Sequence, residues 1–300
     1  MRNIFCMAIA LVFSFTGFCQ SSDSTVKAKT HVKRYHVNYY VTGSIIGVGM
    51  IGDYFAISRL KSKPKLTSDE LEFINTDQQK NLINTIDRWA LKQNPADRDL
   101  FKKISDYGEI GIFLLPSLLI IDKDMRKDWL DLLLMYVEGH TITFSFYNYS
   151  PLGPTFVNRY RPFAYYNTDE LTPEFRMNNN NTRNAFFSGH VGSCAYSTFF
   201  MAKVYSDYHP NLGGLKYLLY LAAAVPPLTI AYARIRSLDH FPSDVAVGFG
   251  LGALIGIVVP ALHKSPCTKH LSLSMSTSSE EVGLSVCWKM DAKRLSAVNK

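Results

Sequence analysis

The sequence predicts an all-α fold: a polytopic membrane bundle of about six helices, followed by a short β-hairpin tail. Hydrophobic residues make up 47% of the 300 positions and charged residues 19%, and the apolar ones fall in long runs. Glycines recur inside the runs at 38–58 and 240–262, which suits helices packed backbone to backbone. Residues 271–275 and 282–288 alternate apolar and polar positions, the period of a strand.

Residues 1–20 have the form of a leader. Arg2 precedes an apolar core from Ile4 to Phe15, and Gly17-Phe18-Cys19 follows, so the segment is a cleaved signal peptide or a retained anchor. Phe18 before the cysteine argues against lipoprotein processing. A basic arm (Lys27, Lys29, Lys33, Arg34) leads into the first span at 38–58, where Asp53 is expected at the interface. Residues 59–106 turn polar. They predict one or two amphipathic helices on the membrane surface or capping the bundle, opened by a capping box at Thr67-x-x-Glu70.

The next spans are predicted at 108–121 and 129–147, joined by a charged turn at 122–128. Glu109 and Glu138 lie within or beside this pair with His140 nearby, and an intramembrane carboxylate is either a functional group or a satisfied helix-packing one. A long loop at 148–187, rich in Asn, Pro and aromatics, is expected to roof the site. Further spans follow at 188–206, 214–232 and 240–262. The organisation is therefore a leader or anchor (1–20), an N-terminal arm with first helix and surface helices (21–106), a catalytic bundle (107–262) and a tail (263–300).

A formal net charge of +7 favours anionic lipid surfaces or phosphorylated substrates. Lys and Arg are scattered and accompany no nucleic-acid motif, so no nucleic-acid partner is expected. The five cysteines, Cys6, Cys19, Cys194, Cys267 and Cys287, have no metal-ligand spacing.

Three short stretches sit at the lips of apolar runs: Asn158-Arg159-Tyr160-Arg161-Pro162, Phe187-Ser188-Gly189-His190, and Arg234 through His240 to Asp244. They combine what phosphoryl transfer without a metal needs. Arginine forks match phosphate oxygens. Ser188 as N-cap and the Gly189 N–H offer an anion site at a helix start. His240 and Asp244 are four apart, so on a helix the carboxylate fixes the imidazole tautomer and leaves the other nitrogen to attack phosphorus. His190, from another segment, is free to protonate the leaving group.

These stretches resemble the type 2 phosphatidic acid phosphatase superfamily, which includes vanadium haloperoxidases and bacterial acid phosphatases. Its pattern is Lys-x6-Arg-Pro, then Pro-Ser-Gly-His, then Ser-Arg-x5-His-x3-Asp. Here Phe187 replaces the proline, Ala233 replaces the serine, and the lysine position falls on Pro154. The resemblance covers roughly residues 105–262 and implies the fold of that superfamily. It implies His240 as nucleophile, Asp244 orienting it, and His190 as acid and then base. It further implies Arg161, Arg234, Ser188 and Gly189 on the phosphate, with Arg159 or a shifted loop supplying the missing cation.

The function implied is metal-independent hydrolysis of a lipid phosphate or pyrophosphate through a phosphohistidine, with no cofactor. Lipid A, undecaprenyl pyrophosphate, phosphatidylglycerol phosphate and phosphatidic acid all fit. The alternatives are an inactive relative that binds or transports phospholipid, and a vanadate-holding site. A zinc site at His190, His240 and Asp244 is disfavoured by the arginines around it. The location implied is the bacterial inner membrane with the site facing the periplasm. Six spans then put the chain before residue 38 in the cytoplasm, which the basic arm favours and a cleaved leader opposes.

Overall fold

The computed structural model describes residues 33–264, apart from Leu152, and the backbone of residues 271–277 and 282–288. The leader, most of the basic arm, Cys6, Cys19 and Cys267 lie outside the described residues.

The elements are α1 (Tyr39–Lys61), α2 (Ser68–Asn75), α3 (Asp77–Asn81), a 3-10 turn (Asp87–Lys92), α4 (Arg98–Leu114) continued as a 3-10 helix (Leu115–Ile121), α5 (Lys123–Lys127), α6 (Trp129–Tyr149), α7 (Pro173–Asn178), α8 (Gly189–Tyr208), α9 (Leu215–Arg236), α10 (Pro242–His263), β1 (Leu271–Thr277) and β2 (Val282–Trp288). The two strands pair antiparallel, Leu271 opposite Trp288 and Thr277 opposite Val282, as the alternating tail predicts.

Local chemistry sets the boundaries. Asn38 caps α1 through the Tyr40 and Val41 N–H groups. The capping box of Thr67 and Glu70 is present at α2. Pro116 lacks the N–H that would continue α4, and the chain tightens to a 3-10 helix there. Ser188 caps α8.

Side-chain pairs give the helix directions. Tyr39 with Asp131, Thr42 with Glu138, and Asp53 with Asn148 run α1 and α6 parallel. Tyr196 on the Met135 and Tyr136 carbonyls and Tyr208 on Asp128 run α8 antiparallel to α6. Arg236 on Asp97 and Arg234 on Ser105 run α9 antiparallel to α4. α10 lies parallel to α8, with Gly252 and Gly256 facing it: a Cβ at Gly252 would collide with the Gly192 carbonyl, and one at Gly256 would stand 2.8 Å from the Tyr196 carbonyl oxygen. Six long helices thus alternate. One end of the bundle holds Lys61, Arg98, Tyr149, His190, Arg236 and Pro242. The other holds Tyr39, Ile121, Trp129, Tyr208 and His263, where Tyr35 bridges to Lys264.

Among the described residues, four helical stretches are long and apolar enough to cross a membrane: Tyr39–Lys61, Pro95–Ile121, Leu215–Arg236 and Pro242–His263. Large apolar side chains such as Val48, Ile51 and Phe55 on α1 and Leu218, Leu221 and Val225 on α9 stand exposed. A surface of that kind belongs in lipid, so the chain is a multi-pass membrane protein. α6 and α8 run inside the bundle and carry the buried polar groups Asp131, Glu138, His140, Ser193 and Ser197.

One helix boundary and one residue's placement differ from the sequence expectation. The second long helix begins at Arg98 rather than 108. Its polar first turns read as surface helix, yet Ser105 is fully buried and Asp106 pairs with Arg234. Asp53 is buried rather than interfacial, its carboxylate 2.8 Å from Asn148 Nδ2. The capping alternative for residues 59–106 describes the region around α2, whose Leu66, Leu71 and Ile74 pack on Phe163, Leu171 and Leu238 above the bundle end.

Candidate active site

The turn between α9 and α10 builds the centre. Leu238 is buried with φ of 59°, the left-handed region that a branched side chain enters at a cost of about 1 kcal/mol. This bend aims the Asp239 and His240 N–H groups at the Arg234 carbonyl, 3.2 and 3.3 Å away. It brings Asp239 and His240 back beneath the guanidinium of Arg234.

His240 is buried, and its Nδ1 lies 2.7 Å from the Ala185 carbonyl oxygen. A carbonyl only accepts, so Nδ1 carries the proton and Nε2 keeps the lone pair. Nε2 makes no hydrogen bond among the described residues. Burial, with Arg161 and Arg234 beside it, holds the imidazole well below its usual range, so the ring is neutral at pH 7. Asp244 Oδ2 stands 3.8 Å from Nδ1. The shared helix face expected for this pair does not form, because α10 starts at Pro242 and His240 precedes it. Asp244 instead accepts from the Phe241 N–H at 2.7 Å and from Arg159.

Arg161 and Arg234 are brought together through Asp239. Its carboxylate lies 3.0 Å from Arg161 Nη1, 3.1 Å from Arg234 Nη2 and 3.6 Å from Arg98 Nη2. Burial alone would push this carboxyl up, but Arg234, Arg161 and Arg98 hold it well below the usual carboxylate range. Asp239 was legible as the neighbour of His240, yet nothing in the sequence marked it as the counter-ion of both arginines.

His190 stands at the first turn of α8 with Nε2 3.2 Å from both Asp106 Oδ1 and Glu109 Oε2. Those two carboxylates are three apart on α4 and share a face. Glu109 stood out in the sequence as a carboxylate in an apolar run, whereas Asp106 did not. Ser188 is buried. Its Oγ accepts weakly from Val191 N–H at 3.5 Å, and its own N–H donates to the Asp244 carbonyl. Gly189 lies against the Tyr147 ring. The Gly189 and His190 N–H groups make no hydrogen bond among the described residues, which leaves them as donors at the helix start.

Arg159 has different carboxylate partners from Arg161 and Arg234. It bridges Asp244 and Asp87, the latter at 2.6 Å, and donates to Ser243 Oγ at 3.0 Å with Phe241 beneath it. Two buried carboxylates thus hold the Arg159 guanidinium, as Asp239 holds those of Arg161 and Arg234. Asp87, which carried no sequence signal, also accepts from the Ser243 N–H and pins the start of α10. Pro154 is buried and brings no cation. Among the described residues no group of three or more His, Cys, Asp and Glu side chains is placed to hold a metal ion.

Residues 131–265 match the family model of the PAP2 superfamily, in agreement with the resemblance read from the motifs. No curated protein matches the sequence. A crystal structure described as the first transmembrane PAP2-type phosphatidylglycerolphosphate phosphatase from Bacillus subtilis aligns with a TM-score of 0.42 and 19% identity. The alignment covers 74% of this chain and 96% of that one.

Proposed function

We propose that this PAP2-superfamily chain is a metal-independent phosphatase that hydrolyses a lipid phosphate monoester or pyrophosphate at the membrane surface. One observation carries the reading. A buried neutral imidazole, His240, has one nitrogen held by the Ala185 carbonyl and the other without a partner among the described residues, beside the guanidiniums of Arg161 and Arg234. That is the state a nitrogen nucleophile needs next to a phosphate-binding charge.

The substrate phosphate is received by Arg161, Arg234 and the Ser188-Gly189 helix start. His240 Nε2 attacks phosphorus, the bond to the leaving oxygen breaks, and His190 gives that oxygen its proton. His190 then takes a proton from water, whose oxygen attacks the phosphohistidine. The N–P bond breaks, inorganic phosphate leaves and His240 is restored. Asp244 holds the turn before α10 by its bond to the Phe241 N–H rather than by a close bond to the ring. The inner membrane of a bacterium, with the site end periplasmic, fits the reading. Lys33 and Arg34 precede α1 at the opposite end, where cytoplasmic basic residues belong.

The test is phosphate release by detergent-purified wild type and His240→Ala with EDTA present, on lipid A, undecaprenyl pyrophosphate, phosphatidylglycerol phosphate and phosphatidic acid. Release that vanishes in the mutant supports the reading. No release from any lipid by folded wild type turns it toward a phospholipid-binding relative, for which Pro154 at the lysine position is the observation in favour.

A further inference from the structure

Resting on the phosphatase reading, we propose that Lys63 receives a second phosphate of the substrate, so that the site prefers lipids carrying two phosphates over those carrying one.

Lys63 follows the last turn of α1 and is half-buried at the site end. Its Nζ donates to Asn184 Oδ1 at 3.0 Å and to the Val157 carbonyl at 3.3 Å, and it makes no ion pair among the described residues. The site's arginines differ in this respect. Arg161, Arg234 and Arg98 share Asp239, Arg159 has Asp87 and Asp244, and Arg183 has Glu70. Burial, together with the cations Arg183 and Arg59, pushes its amine down to about 8. A half-buried cation without a counter-charge is relieved by an anion.

Its position names the anion. Asn184, whose side chain Lys63 holds, accepts from Arg161 Nη2 through its carbonyl at 3.4 Å, and the next carbonyl, Ala185, holds His240. Lys63 is thus one residue removed from the group that serves the reacting phosphate, yet outside that group. That place suits a second phosphate carried on the same lipid as the first. The shared chemistry is either the β-phosphate of a lipid diphosphate or a diester phosphate beside a terminal monoester. The competing account is mechanical: Lys63 only clamps Asn184.

The experiment measures kcat/KM of wild type, Lys63→Met and Lys63→Arg on undecaprenyl pyrophosphate, phosphatidylglycerol phosphate and phosphatidic acid in micelles. Expected is a loss of about tenfold or more for Lys63→Met, through KM, on at least one two-phosphate lipid. Phosphatidic acid stays within about twofold, and Lys63→Arg is close to wild type. A loss confined to the diphosphate identifies the β-phosphate, and one confined to phosphatidylglycerol phosphate identifies the diester. Equal losses on all three lipids mean a clamp and overturn the proposal, as does no loss on any.

Thermal shifts with inorganic pyrophosphate and inorganic phosphate separate this proposal from the reading beneath it. If wild type hydrolyses none of the lipids, the phosphatase reading fails. Lys63 then stands only if pyrophosphate stabilises wild type more than phosphate does and Lys63→Met abolishes the difference.

Discussion

The ring of His240 is held by the main chain of Ala185: Nδ1 lies 2.7 Å from that carbonyl and 3.8 Å from the Asp244 carboxylate. A backbone acceptor survives any side-chain replacement at 244. Asp244→Asn is therefore expected to lower kcat by about 10- to 100-fold, and His240→Ala by about 1000-fold or more. Steady-state phosphate release on the preferred lipid checks this. Equal losses in the two variants would assign the ring to the carboxylate after all.

The pair of carboxylates at His190 predicts a kcat effect. Glu109→Gln removes one of two anions 3.2 Å from Nε2 and is expected to lower kcat by about 10- to 100-fold with KM nearly unchanged. Asp106→Asn should cost more, because the same carboxylate also reaches Arg234 Nη1 at 3.4 Å. Initial-rate kinetics over a range of lipid mole fractions separates the two parameters. A pure KM effect would place both carboxylates in substrate binding instead.

Asp239→Asn strips the shared counter-ion from Arg161, Arg234 and Arg98 while keeping the volume. Breaking a buried pair on one side leaves uncompensated charge, so destabilisation of about 3–5 kcal/mol is expected. Thermal unfolding in detergent reads it as a lowered midpoint, and added inorganic phosphate should restore part of the loss, growing with the logarithm of its concentration once the site is filled.

The depressed His240 fixes a direction with pH. Its folded-state value lies below the unfolded value near 6.5, so on acidification the unfolded chain takes up the proton first. The neutral ring's contribution to stability is present above about pH 6.5 and is lost as pH falls beneath it. Wild type should lose more stability than His240→Gln between pH 7 and pH 5, measured by denaturation midpoints in detergent. Activity should persist below pH 6.5, because the folded ring is still unprotonated there.

Lys63 runs the other way. Its folded-state value of about 8 means that the cation is present below that pH and gone above it. The advantage of two-phosphate lipids over phosphatidic acid should fade as pH rises past about 8, while Lys63→Arg keeps it. Competition assays with both lipids in one micelle, at pH 7 and pH 9, measure the ratio directly.

Much of this architecture was written in apolar runs and caps. The spans near 38–58, 188–206, 214–232 and 240–262 declare themselves because long stretches of lipid-facing or tightly packed residues tolerate few charges. The Thr67 box and the Ser188 cap are local chemistry, and local chemistry is legible. What stayed hidden is charge satisfied at a distance. Asp87 and Arg159 are 72 positions apart, and Arg234 and Ser105 are 129 apart, and no local period announces either pair. The same blindness misplaced the start of α4, where a polar face that serves His190 and Arg234 was taken for a surface face. His240 and Asp244 do face each other at 3.8 Å, but not from one helix, because Pro242 opens α10 after the histidine.

The glycine seam between α8 and α10 has a consequence for how the protein meets its solvent. His190 rides on the first turn of α8 and His240 immediately precedes α10. These two helices meet at Gly252 and Gly256 against the Gly192 and Tyr196 carbonyls, which leaves little room to slide or compress. When a bilayer is thicker or thinner than the bundle, helices answer by tilting. Helices in backbone contact tilt as one body, so the span between the two histidines works as a fixed caliper. The proposed turnover should then hold steady as acyl chains lengthen, leaving bilayer thickness to act on substrate entry rather than on the chemical step.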